Sequence, residues 1–120
     1  MPLAKNNVVL DKSFAFALRI ARLYRYLVDE KKEFVLSKEL LVAGTHIGKH
    51  VKEAVAAESR QIFIIEFGAA RRKASETEYW LQLFHHADLL NATEFESIES
   101  DRVEIAKLIS SIFLKSRQNG

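Results

Sequence analysis

Cysteine is absent from the 120 residues. This rules out a disulfide framework, a thiolate nucleophile and zinc–thiolate centres, and it suits a reducing compartment. Proline occurs once, at Pro2, and glycine only at Gly44, Gly48, Gly68 and Gly120. These two residues punctuate turns, so their scarcity argues for long helices and against a many-stranded β fold. The segment Met1–Asn7 lacks the apolar core of a secretory signal. No apolar run approaches the ~18 residues of a membrane span, because Lys107 interrupts the most apolar late stretch, 103–114. The expectation is a cytoplasmic chain with no membrane partner.

What is present is a globular composition, 48% hydrophobic and 28% charged, in a length that suits one domain. Residues 1–10 read as a flexible arm ending in Val8-Val9-Leu10. Four helical segments follow, at about 12–30, 35–57, 60–86 and 94–116, within a bundle domain spanning 11–118. In the first, Asp11 or Ser13 is the expected N-cap. Two apolar rows share this helix, Phe14/Ala17/Leu18/Ala21/Tyr24/Val28 and Phe16/Ile20/Leu23/Leu27, which is more than one buried stripe requires. The second helix carries Leu36, Leu40, Leu41, Ile47, Val51, Ala54 and Val55. It also holds Gly44 and Gly48, whose helix-interior cost of about 1 kcal/mol each points to close helix packing or to a local bend. Ser59 is the expected cap of the third helix, where Gly68 with Ala69 and Ala70 offers another close-packing patch. Thr93 and Glu96 have the spacing of a capping box before the fourth helix, whose stripe is Phe95, Ile98, Val103 (or the stem of Arg102), Ile105, Leu108, Ile109, Ile112 and Phe113. Short links between helices of similar length predict an all-α, antiparallel up-down-up-down four-helix bundle. Helices 1 and 3 are apolar on more than one face. Such surplus marks interfaces, so the chain is expected to associate with copies of itself.

Charge is distributed unevenly although the net is +2. Residues 1–75 carry +6 and residues 76–120 carry −4. One reading is a basic face for RNA or DNA built from Arg19, Arg22, Arg25, Lys49, Lys52, Arg60, Arg71, Arg72 and Lys73. Phosphate binding needs several cations facing one way, and without an aromatic recognition signature it would tolerate any sequence. The other reading is complementary charge between helices or subunits.

His46 and His50 sit at i and i+4 with Glu53 nearby, a spacing able to chelate a metal, but the HExxH context is missing because position 47 is Ile. They are a weak metal candidate, and no cofactor is expected. His85-His86 suit a helix C-terminus. Glu76, expected to turn partly inward, has Lys73 three residues before it, and an ion pair explains it better than acid–base catalysis. No nucleophile elbow, P-loop or dinucleotide motif is present, so no enzyme is expected. Phe14, Phe63, Tyr79 and Trp80 are expected to anchor a core or an interface.

Several segments together resemble a known family. They are Lys12-Ser13-Phe14, residues 34–41 (FVLSKELL), Gly44-Thr45-His46-Ile47-Gly48, residues 51–54 (VKEA), Phe63, Ala69, Lys73-Ala74 and residues 76–81 (ETEYWL). The chain resembles, over about residues 8–116, the bacterial four-helix-bundle proteins encoded within 23S ribosomal RNA intervening sequences. The resemblance implies a bundle assembled as a ring, commonly a pentamer. It also implies kinship with accessory proteins of diversity-generating retroelements, which bind nucleic acid and a reverse transcriptase. Partners implied are the chain itself, RNA or DNA, or a partner protein. The chain departs from that pattern at His46, Lys49 and His50, which make the second helix more basic.

Overall fold

The rows of apolar residues decide which side each helix hides. A computed structural model describes residues 3–118, with side chains from residue 8 onward. It contains α1 (Leu3–Asp29), α2 (Leu36–Val55), α3 (Arg60–His86) and α4 (Ala92–Gln118). There is no strand among the described residues.

The first correction concerns the arm. Residues 3–10 are helical and form the opening turns of α1. The physical reason is register: Val9, Ser13, Phe16, Ile20 and Leu27 recur at steps of three, four and seven, and all five are buried. Ser13 is therefore a mid-helix residue rather than a cap, and its hydroxyl donates to the Leu10 carbonyl at 3.1 Å. Pro2 and residues 119–120 lie outside the described residues.

Three of the helix starts are set by local chemistry. Val35 precedes α2 without a side-chain cap. The Glu33 carboxylate takes that role, accepting from the N–H of Ser37 at 2.6 Å, Leu36 at 3.1 Å and Val35 at 3.3 Å. Ser59 accepts from the Ile62 N–H at 3.1 Å. The expected Thr93/Glu96 box is displaced by two residues. Asn91 Oδ1 accepts from the Glu94 N–H at 2.8 Å while Glu94 accepts from the Asn91 N–H at 2.9 Å. Asparagine is at least as good a cap as threonine and has the same spacing to a glutamate.

Long-range pairs give the direction of the chain. Ile20 meets Gly44 and Ser13 meets Gly48, so α1 and α2 run antiparallel. Arg19 reaches Asp101 and Lys12 reaches Glu104, so α1 and α4 do too. Glu78 meets Arg102 and Gly68 meets Phe113, which makes α3 antiparallel to α4. The α2–α3 pair must then also be antiparallel, and the arrangement is consistent with an up-down-up-down bundle, 46 × 22 × 20 Å in extent. Its core runs the length of all four helices, through Phe16, Ile20, Leu40, Ile47, Phe67, Leu81, Phe84 and Ile109. The α2–α3 pair packs most extensively and α1–α4 least.

α2 continues unbroken through Gly44 and Gly48. A Cβ at Gly44 would lie 2.6 Å from Ile20 Cγ1, and one at Gly48 would lie 3.1 Å from the Ser13 carbonyl oxygen. Both glycines therefore mark the close α1–α2 approach.

Candidate functional site

The nine cations read as one basic surface are not gathered together. Arg19 crosses from α1 to α4, bonding Asp101 Oδ2 at 2.7 Å and the Ser97 carbonyl at 3.2 Å. Arg60 donates to the Ser116 carbonyl at 2.6 Å. Arg71 lies over the Phe113 ring at 5.3 Å. Ser97 and Ser116 are about 30 Å apart along α4 at the helical rise, so these arginines mark opposite ends of the bundle. Lys49 pairs with Glu53 at 3.5 Å and Lys73 with Glu76 at 3.1 Å. Arg22, Arg25, Lys52 and Arg72 have no ion pair among the described residues. Arg22 and Arg25 share one side of α1, where Arg22 borders a cleft of about 270 Å³ with Tyr26, Leu90 and Glu94.

The uneven charge thus has a partly internal use: basic α1 meets acidic α4 through Lys12–Glu104 at 3.3 Å and Arg19–Asp101 at 2.7 Å. Both pairs are exposed, so each contributes less than about 1 kcal/mol.

Arg102 is a different case, being only 7% exposed. Its Nε and Nη2 take both oxygens of Glu99 at 2.6 and 2.7 Å, and Nη2 also donates to Glu78 at 3.0 Å. The bonds to Glu99 push the guanidinium pKa upward against the opposing effect of burial. Glu76, expected to turn inward, is exposed, and Thr77 is buried in its place with its hydroxyl bonded to the Lys73 carbonyl at 2.7 Å.

The aromatic anchors divide. Phe63 packs on the core and lies 4.8 Å from Phe67, and Trp80 is half-buried against the same core. Phe14 and Tyr79 are not core residues, at 65% and 60% exposed. α1 buries its Phe16/Ile20/Leu27 row and leaves the Phe14/Leu18 row outside. On α3 the exposed residues Ile62, Ile65, Arg72, Glu76 and Tyr79 recur at steps of three, four and seven and form one outward face. The loop end of α2 adds Phe34, Val35 and Leu36, all exposed.

The two histidines of α2 have different surroundings. The His46 and His50 rings meet edge-on with centroids 6.3 Å apart. Burial first, then the charges of Lys49 and Lys73, pushes the His46 imidazole below its usual 6.5. His50 instead bonds Glu66 of α3 at 2.8 Å, and Glu53 completes a three-residue group with one ligand atom each, all within 4.8 Å. Glu66 was missed by sequence reasoning, which weighed spacing within one helix. The signal was there in the hairpin register: positions 50 and 66 lie equally far on either side of Glu58, where the chain reverses. His85 stacks on Phe95 at 4.7 Å and bonds the Leu90 carbonyl at 3.1 Å, which ties the end of α3 to α4.

A profile of the family described as 23S rRNA-intervening sequence protein matches residues 5–111. The chain belongs to that family. A crystal structure of a protein of unknown function from the S23 ribosomal protein family of Bacteroides thetaiotaomicron VPI-5482 shares 49% identity with it. The match covers 91% of this chain and 97% of the other, with a TM-score of 0.89. No curated protein matches the chain. The intervening-sequence family is thus one of unknown function, and no helix among the described residues is long and apolar enough to cross a membrane.

Proposed function

We propose that this member of the intervening-sequence family is a non-enzymatic scaffold that assembles with copies of itself through the outer faces of α1 and α3. The observation that carries the reading is the pair of apolar rows left outside a complete core: Phe14 and Leu18 on α1, and Ile62, Ile65 and Tyr79 on α3. A soluble bundle that already buries Phe16, Phe67 and Phe84 gains nothing internally from these side chains, and hiding them requires a second surface. A ring, commonly of five in the proteins this chain resembles, would satisfy two different outward faces at once, because each protomer then offers one face to each neighbour.

Assembly would also repeat the unpaired cations Arg22, Arg25, Lys52 and Arg72 around the ring. Nucleic-acid binding through that repeated charge would be sequence-tolerant and strongly salt-dependent. The pairing of Arg19, Lys49 and Lys73 with carboxylates of the same chain favours the second reading, a protein–protein adaptor ring with no nucleic-acid role.

Sedimentation velocity at micromolar concentration tests the scaffold, which predicts a discrete species several times the 13.7 kDa protomer. A stable lone protomer would overturn it. Gel-shift titration with generic RNA and DNA then separates the two readings. Retardation at ~50 mM salt that fades as salt rises supports the nucleic-acid role. No retardation at low salt, with partners retained from nuclease-treated lysate, supports the adaptor.

A further inference from the structure

His50 and Glu53 stand on one face of α2 at i and i+3, and Glu66 reaches them from α3. We propose that these three side chains form a binding site for a divalent transition-metal cation of the Zn²⁺ type, bridging α2 and α3 and leaving a fourth position for water. The donor set is one imidazole nitrogen and two carboxylates, the nitrogen and oxygen chemistry that Zn²⁺ accepts.

The geometry is close to what coordination needs. A four-coordinate Zn²⁺ with bonds of about 2.1 Å sets its ligand atoms roughly 3.4 Å apart. Here the three candidate atoms all lie within 4.8 Å of one another, and His50 Nδ1 is 2.8 Å from Glu66 Oε1. Shifts of about 1 Å in side chains alone would close the shell, well within rotamer adjustment.

The platform is rigid where it matters, because α2 and α3 form the most extensively packed pair in the bundle. Their packing is held by Ile47, Val51, Ala54, Phe67 and Ala70, all buried. His50 and Glu66 are shielded, with 18% and 21% of their side chains exposed, while Glu53 is 44% exposed and gives an entry route from solvent. Among the described residues, the cation paired with this group is Lys49, 3.5 Å from Glu53. Its side chain is 56% exposed, so a divalent ion can displace it into water at small cost. His46 lies one turn away and is outside the three-atom cluster.

The test is isothermal titration of the full chain, freed of metal, with Zn²⁺, alongside the variants His50→Ala, Glu66→Gln and the double variant His85→Ala/His86→Ala. Far-UV circular dichroism checks that each variant is folded. One Zn²⁺ per chain is expected, with His50→Ala and Glu66→Gln each weakening binding by at least about tenfold. The His85/His86 variant should bind as the parent does. No binding to the parent up to about 100 μM Zn²⁺ overturns the site. Binding that survives both His50→Ala and Glu66→Gln, or is lost in the His85/His86 variant, does so equally.

Discussion

Gly44 and Gly68 look alike in the sequence, each a glycine inside a helix, but their surroundings differ. A Cβ at Gly44 would meet three Ile20 carbons at 2.6–2.9 Å, including Cγ1 and Cγ2 close to the backbone. Gly44→Ala should therefore lower stability by about 1–3 kcal/mol through overpacking, more than the gain in helix propensity returns. At Gly68 the nearest atom is Cε1 on the edge of the Phe113 ring at 3.1 Å. That ring can tilt, so Gly68→Ala should be neutral or stabilising by up to about 1 kcal/mol. Paired urea melts of the two variants check the contrast, and equal effects would contradict it. Arg102 allows a second comparison at this scale. Arg102→Ala removes the cation that compensates Glu99 and should cost about 3 kcal/mol. Arg102→Met leaves Glu99 equally without its cation but fills the space with an apolar chain, so it should cost less by the packing share alone in the same melts.

At the scale of the element, the start of α2 rests on one carboxylate. Burial works to raise the Glu33 pKa, but bonds from the N–H groups of Ser37, Leu36 and Val35 outweigh it and hold the group below its usual 4.5. A depressed folded-state value means that the unfolded chain binds the proton first as acid is added. The stabilisation is thus complete above about pH 4.5 and is lost as pH falls through the lower folded value. Glu33→Gln should cost about 1 kcal/mol at pH 7, comparable with loss of a helix cap. The gap between variant and parent should shrink in thermal melts as pH drops toward 3. Asn91 and Glu94 do the same work for α4, and Asn91→Ala should cost a similar ~1 kcal/mol, read by the same melts.

For the whole molecule, the decisive quantity is the apolar surface left outside a finished core. Phe14→Asp combined with Ile65→Asp should break the proposed assembly into single protomers of 13.7 kDa without loss of helix, since both side chains are exposed. Sedimentation with circular dichroism reads both properties. The proposed interface is apolar, so the proposed assembly should persist at about 1 M salt, where charge-driven contacts are screened. A parent that dissociates at high salt would place any assembly on charged contacts between protomers instead.

Helix number, type and approximate length were legible from the sequence, because a 3.6-residue repeat of apolar side chains and the near absence of glycine and proline act locally. So was the surplus of apolar rows on α1 and α3. Which row α1 buries was not legible: Phe14/Leu18 and Phe16/Ile20/Leu27 have equal claim until the neighbouring helices choose, and choosing the second pulled Val9 inward and lengthened the helix to Leu3. The start of α4 slipped by two residues because Asn91 and Thr93 offer the same spacing to a glutamate. The candidate metal group shows the limit most plainly. His50 and Glu53 are neighbours by helical spacing, whereas Glu66 joins them only because two antiparallel helices fold back about Glu58. Local periodicity is written along the chain, but juxtaposition across helices depends on packing register, and only the tertiary structure decides that.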